Sequence, residues 1–279
     1  MRYFPLGSSD FKITMGLQAL KNTSWLDVDD NYRADIALKQ NLLSKRRDHV
    51  FAALPGTEKA QGDILDAVRT ELKDCYQDLP VTAPTPSLSP LTEAACLVQE
   101  DLVLMQPVDG IFKLTAACVC FPSGWNLTEK IGRSLFDIHA PVPALNTQIG
   151  PSIDQFFERL NPRKKVQRFN WGIFDNPALF QPEWARQQQA DKKPVSAETI
   201  GQKLFFRVER QTLQRLPSAK DTLFTIRIFN TSLDDVTKNP ARAGILLCSL
   251  RTMPEAMRHY KAVARYKALL FEYLAGRSA

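Results

Sequence analysis

The chain carries few of the residues that announce a particular chemistry. Three histidines occur in 279 residues, so each imidazole can be weighed singly. The five cysteines, Cys75, Cys96, Cys118, Cys120 and Cys248, are odd in number and lack the spacing of a zinc or iron–sulfur site. Cys118-x-Cys120 shares one face of a strand, but a lone pair of this kind is a weak metal signal. The simpler reading is reduced, mostly buried thiols in a cytoplasmic protein. No dinucleotide fingerprint and no phosphate loop is present, so a redox role would need electrons from elsewhere. No apolar run approaches bilayer length, and the start, MRYFPLGSSDFKI, lacks the apolar core of a secretory signal. The formal net charge of +6 is scattered apart from short clusters at 45–47 and 163–165. These read as solvated surface, and a nucleic-acid partner is not expected.

What is present is ordinary for a globular chain, with 44% hydrophobic and 24% charged residues. Apolar spacing predicts helices over 32–51 and 58–75, then a connector rich in proline, serine and threonine at 80–90. A short helix at 91–97 precedes strands at 98–106 and 111–121, joined at Asp109-Gly110, a hairpin signal. Further strands are expected at 166–174, 203–213 and 222–229, with a polar loop at 181–196 and helices at 233–243 and 253–274. Strands and helices do not alternate, so the fold class is α+β, with an antiparallel sheet flanked by helices rather than a doubly wound parallel one. The expected organisation is an N-terminal helical segment at 1–79, a connector at 80–92, a core at 93–232 and C-terminal helices at 233–279.

The stretch 116–143 organises the rest. A small apolar strand is broken by Pro122-Ser123-Gly124. Asn126 or Thr128 can cap a helix over 126–138, with Glu129 in its first turn and Ile131, Leu135 and Ile138 on one face. His139 follows, and Pro141 and Pro143 stop the helix behind it. A shorter helix is expected at 153–160. His49 and His259 sit among charged residues and read as surface; His139 stands at the rim of an apolar face. By itself, such a histidine is as well explained as a helix-end or core residue.

Five separated stretches, CFPSGW, EKIGRSL, IHAPVP, NWGIFDNPALFQP and FFRVERQTLQRLP, add a resemblance. They resemble, in order, the alpha-subunit-like family of haem-dependent oxidative N-demethylases, over nearly the whole chain. The resemblance implies a PAS-like core, a five-stranded antiparallel sheet whose face and helical insert enclose a haem b. It makes His139 the candidate axial ligand, with Cys118 and Cys120 as competitors. Trp125, Lys130, Arg133, Arg207 and Arg227 are candidates to line the cofactor or meet its propionates. A cross-strand pair of Glu209 with Arg227 on a solvated face is the competing account of those strand charges. Glu209 is the candidate carboxylate for a protonated amine, not separated from Asp137 or Asp175 by the sequence. Asn170 could orient oxygen or a water, and Trp171 and Phe174 could wall the amine. The implied reaction oxidises an N-methyl group of a small methylated amine with dioxygen, releasing formaldehyde. The implied partners are reductase subunits carrying flavin and iron–sulfur centres. A haem-based sensor and a haem-free PAS-like binding protein remain the alternatives.

Overall fold

The computed structural model describes residues 1–7, 10–20, 23–82, 89–183, 195–217 and 220–278. Residues 83–88 of the expected connector and 184–194 of the polar loop lie outside these residues. The sheet begins with a hairpin of β3 (Asp101–Val108) and β4 (Ile111–Cys118). Its turn is Asp109-Gly110, both at positive φ (53° and 78°), which Asp tolerates and Gly accepts freely. Strands β5 (Val166–Phe174), β6 (Phe205–Arg215) and β7 (Thr222–Ser232) complete the central five. Two short N-terminal strands, β1 (Gln18–Ala19) and β2 (Phe51–Ala53), pair with β5 and β4. Among the described residues the sheet therefore has seven strands rather than five, in the order β1-β5-β6-β7-β3-β4-β2, and every pairing is antiparallel. The two added strands partly cover edges that would otherwise present open backbone groups.

Register sorts the side chains into two faces. Val103, Phe224 and Leu213 lie together, and so do Arg168, Asn170, Glu209 and Gln211 further along. The opposite face carries Leu102, Leu104, Cys118, Thr225, Arg210 and Arg227. On it pack α1 (Tyr32–Lys45), α3 (Glu58–Cys75) and α4 (Pro90–Ala95) through Leu42, Ile64, Val68, Leu72 and Leu91. The first face is covered by α5 (Leu135–His139) and α6 (Leu145–Arg159) through Leu135, Ile153 and Phe157. After α7 (Ile200–Lys203), the C-terminal elements are α8 (Leu233–Thr237), α9 (Pro240–Thr252), α10 (Glu255–Tyr260) and α11 (Lys267–Ala275). They form a third apolar cluster with Phe206 and Val208. Among the described residues no helix is long and apolar enough to cross a membrane.

Several expected helices are broken by tertiary demands. The helix over 32–51 stops at Lys45; α2 (Arg47–Val50) adds one turn, and Phe51 turns outward to pair with Cys118. The helix over 126–138 does not form. A 3-10 turn at Leu127–Glu129 is followed by Gly132 at φ 77°. The backbone there bonds the free edge of β4, Gly132 N–H to Leu114 O at 2.7 Å and Leu114 N–H to Arg133 O at 3.0 Å. The β4 edge has taken hydrogen bonds a helix would have closed internally. Helix α5 starts anew at Ser134, whose hydroxyl caps the Asp137 N–H at 3.1 Å. Helix α6 starts at Leu145 rather than 153. The helix over 253–274 starts behind Pro254 and is split after Tyr260, where Ala262 takes φ 58°.

The face toward α1 buries charge. Arg210 and Arg227 are register partners there, while Glu209 lies opposite Ile228. The considered Glu209–Arg227 pair is therefore not made, because the two point to opposite faces. Arg227 instead meets Asp29 at 2.8 Å, Asp35 at 3.5 Å and the Asp27 carbonyl at 3.1 Å. Arg210 donates to the carbonyls of Trp25 (3.0 Å) and Ser24 (3.1 Å). Lys39, wholly buried, donates to the carbonyls of Ala95, Val98 and Glu100 and lies 4.0 Å from Asp101. Asp101 accepts from the Cys120 and Phe121 N–H groups at 2.8 and 2.9 Å, and burial pushes its carboxyl up to about 6.

Lys39→Met should cost about 3–5 kcal/mol at pH 7, read by urea unfolding, because it strands a buried carboxylate and three carbonyls. The folded protein holds the Asp101 proton more tightly than the unfolded chain, so this group's penalty is present above about pH 6 and is relieved as pH falls toward 4. The difference between variant and wild type should narrow at pH 5.

Candidate functional site

A cavity of about 880 Å³ lies between the sheet and α5–α6 and continues around the outer edge of β5. That edge is open because β1 pairs only with Val166 and Gln167. Residues 3–7 and 10–18 run past it as an arm and line the cavity. The arm is tied to the body at Asp27 by Arg2 and by the Tyr3 hydroxyl (2.5 Å), and by Phe11 N–H to Thr252 Oγ1 (2.9 Å). Val103, Met105, Leu114, Leu135 and Ile138 give the cavity an apolar wall.

His139, the last residue of α5, lines this space. A helix C-terminus ordinarily favours the charged imidazole. Here burial lowers it to about 4, helped by the Arg168 and Lys130 charges, although the ring's bond to the Leu135 backbone works the other way. His139 is therefore neutral at pH 7 and keeps one nitrogen lone pair. Asp137, the alternative carboxylate to Glu209, is exposed and bonded to Ser134.

The polar end is built on β5 and β6. Glu209, buried, accepts from Gln211 Nε2 at 2.7 Å and Asn170 Nδ2 at 3.3 Å. Among the described residues its Oε1 takes no hydrogen bond. Lys261, just past α10, donates to Asn170 Oδ1 at 3.2 Å and the Trp171 carbonyl at 2.5 Å. It lies 5.3 Å from the Trp171 ring centroid. Burial pulls the Lys261 ammonium down to about 8, against the attraction of Glu209. Arg168 is lowered for the same reason, and its Nε is buried without a hydrogen-bond partner. Lys130, also lowered by burial, donates to the Ile138 carbonyl at 3.1 Å and lies 5.3 Å from the Trp125 ring centroid.

Of the residues singled out from the sequence, His139, Trp125, Lys130, Asn170, Glu209 and Trp171 meet in this one cavity. Others do not. Arg133 is exposed outside it, because Gly132 turns the chain along β4. Arg207 shares the face of Glu209 but is spent on carbonyls, those of Phe121 (3.0 Å), Ala178 (3.0 Å) and Leu179 (2.9 Å) among them. Arg227 faces the other way. Phe174 lies under Arg207, 5.4 Å from centroid to guanidinium carbon, and Asp175 accepts from Tyr266 at 2.7 Å. Cys118 and Cys120 are buried on the opposite face, 4.0 Å apart, and do not line the cavity. Sequence reasoning missed Arg168, Gln211 and Lys261 as members of the site. Arg168 and Gln211 were accessible in principle, two residues from Asn170 and Glu209 on strands already recognised. Lys261 was not, since it reaches the cavity only because the last helix breaks beside it.

A family model described as "Haem-dependent oxidative N-demethylase, alpha subunit-like" matches residues 16–79 and 76–271. The chain belongs to this family. The residues present fit the group named in that description. The cavity is in the upper range for cofactor pockets, about 300–1,000 Å³. It offers apolar walls, one neutral imidazole, and cations for carboxylates. A porphyrin brings its own nitrogens and asks the protein only for axial donors.

In protein freed of any haem, the His139 ring should stay neutral at pH 5 and protonate only near pH 4. Nitrogen-15 spectra of the imidazoles, with His139→Gln assigning the signal, would measure this. Protonation above pH 6 would mean that the ring is not buried beside Arg168 and Lys130.

Proposed function

We propose that the protein is a haem b oxygenase that oxidatively removes an N-methyl group from a small amine, and that His139 would hold the haem iron. The observation that carries this is the neutral, cavity-facing imidazole opposite an apolar wall, in a chain of this family. The bound haem supplies the iron and, with dioxygen and electrons from outside, the oxidising power that takes the methyl carbon to formaldehyde.

The chain's own residues bind and orient. The Leu135 carbonyl fixes the His139 ring and leaves its other nitrogen to ligate. Trp125 and Lys130 stand at the cofactor end, the ring as wall and the ammonium as a partner for a propionate. Glu209 Oε1 accepts an amine N–H, and Asn170, pinned by Lys261, holds the carboxylate from the other side. The Trp171 ring closes the pocket beside Lys261. The central strands β3 to β7, with α5–α6 inserted between β4 and β5, support a PAS-like core as part of this proposal. The electrons would come from a flavin and iron–sulfur reductase, as the family resemblance implies.

Reconstitution with haem should give a Soret band. His139→Ala should lose most of the haem or shift that band visibly, whereas His49→Ala and His259→Ala should do neither. With a reductase, the wild type should release formaldehyde from methylated amines, and Glu209→Gln should lower that rate at least tenfold by removing the charge that holds the amine. Absence of haem uptake by the wild type would overturn the proposal.

A further inference from the structure

We propose that the polar end of the cavity takes a ligand carrying a carboxylate as well as an amine, an N-methylated amino acid held as a zwitterion, in preference to a simple methylamine. This rests on the amine reading above and narrows its substrate class.

The argument begins with charge. Inside the cavity Lys130, Arg168 and Lys261 face a single carboxylate, Glu209, while Asp10 and Lys12 at the exposed arm offset each other. His139 is neutral. The interior thus holds two positive charges in excess, the number that the two propionates of a haem would balance. A simple alkylammonium would then arrive as an unmatched cation. It would sit against Glu209 with the Arg168 and Lys261 charges beside it, in surroundings of low dielectric where like charges repel strongly. A zwitterion adds no net charge.

Geometry points the same way. Arg168 is the register partner of Gln211, and Asn170 that of Glu209, so Arg168 and Glu209 are diagonal neighbours on one face. Such neighbours lie about 7–8 Å apart along the backbone, and both side chains enter the same cavity. A ligand whose amine and carboxylate are separated by one carbon can bridge their tips. Arg168 has a buried Nε with no protein partner, and a guanidinium edge suits a carboxylate. Glu209 has an oxygen free of protein hydrogen bonds among the described residues, which suits an ammonium N–H.

Calorimetric titration of the purified protein with N-methylglycine, dimethylamine and acetate tests this, with the haem content of each sample read from its visible spectrum. N-methylglycine should bind at least tenfold more tightly than dimethylamine. Arg168→Gln should weaken N-methylglycine at least tenfold and leave dimethylamine unchanged or tighter. Lys261→Met should act in the same direction, and Glu209→Gln should weaken both amines. Equal or tighter binding of dimethylamine by the wild type overturns the proposal, as does binding of neither amine. So does an Arg168→Gln protein that loses haem yet keeps its preference for N-methylglycine, since Arg168 would then serve the cofactor. A sample without haem that still shows the Arg168-dependent preference keeps this inference and refutes the oxidative reading; a haem-bearing sample without the preference does the reverse.

Discussion

Strand β6 carries charge to both faces of the sheet, and each face has to satisfy it separately. Burying a guanidinium or a carboxylate without partners costs far more than a folded domain can spare. On one face Arg210, with Arg227 beside it on β7, is met by the carbonyls and carboxylates of residues 24–35. This is why the N-terminal segment runs where it does. Its helices are drawn onto the sheet by apolar contacts, but its path is fixed by those two cations and by Lys39. On the other face Arg207 gathers the carbonyls of two loops, and Glu209 is left to a cavity in which the balance of charge is positive.

The division of labour along one strand has a functional consequence. Arg207 and Glu209 are two residues apart, yet one is fully used in holding structure and the other retains an oxygen free of protein hydrogen bonds among the described residues. The same contrast separates Arg227 from Arg168. A basic residue in a strand says nothing by itself about whether it will serve a ligand. What decides is whether loop carbonyls reach it first, and that depends on segments distant in sequence.

The cavity owes its polar end to an edge. Strand β1 covers only the beginning of β5, so the Trp171 carbonyl stays available to Lys261 and the Asn170 side chain can be held from outside the sheet. Desolvation there lowers the affinity of Lys261, Lys130 and Arg168 for their protons, and of His139 as well. Cations gathered where water is scarce disfavour one another's charge. The site is thereby poised for anionic groups, and the imidazole is kept neutral.

By itself, the sequence determined the five central strands and the class of the fold. Alternation in residues 166–174 and the Asp109-Gly110 turn are local signals, and local signals survive folding. The sequence also singled out His139, Glu209 and Asn170 through stretches resembling one family, and all three line one cavity. It did not determine that the chain at Gly132 would bond to β4 instead of continuing a helix, because the competing partner, the open edge of β4, lies outside the local window. Ser134 three residues before Asp137 was a capping signal that could have placed the restart of α5. Only the tertiary structure decided that Arg227 belongs to a structural lock, that Arg168 faces the cavity with an unpartnered nitrogen, and that Lys261 enters it. The physical reason is that periodicity gives a residue's face, whereas its use depends on which backbone or charge from elsewhere in the chain comes to meet it.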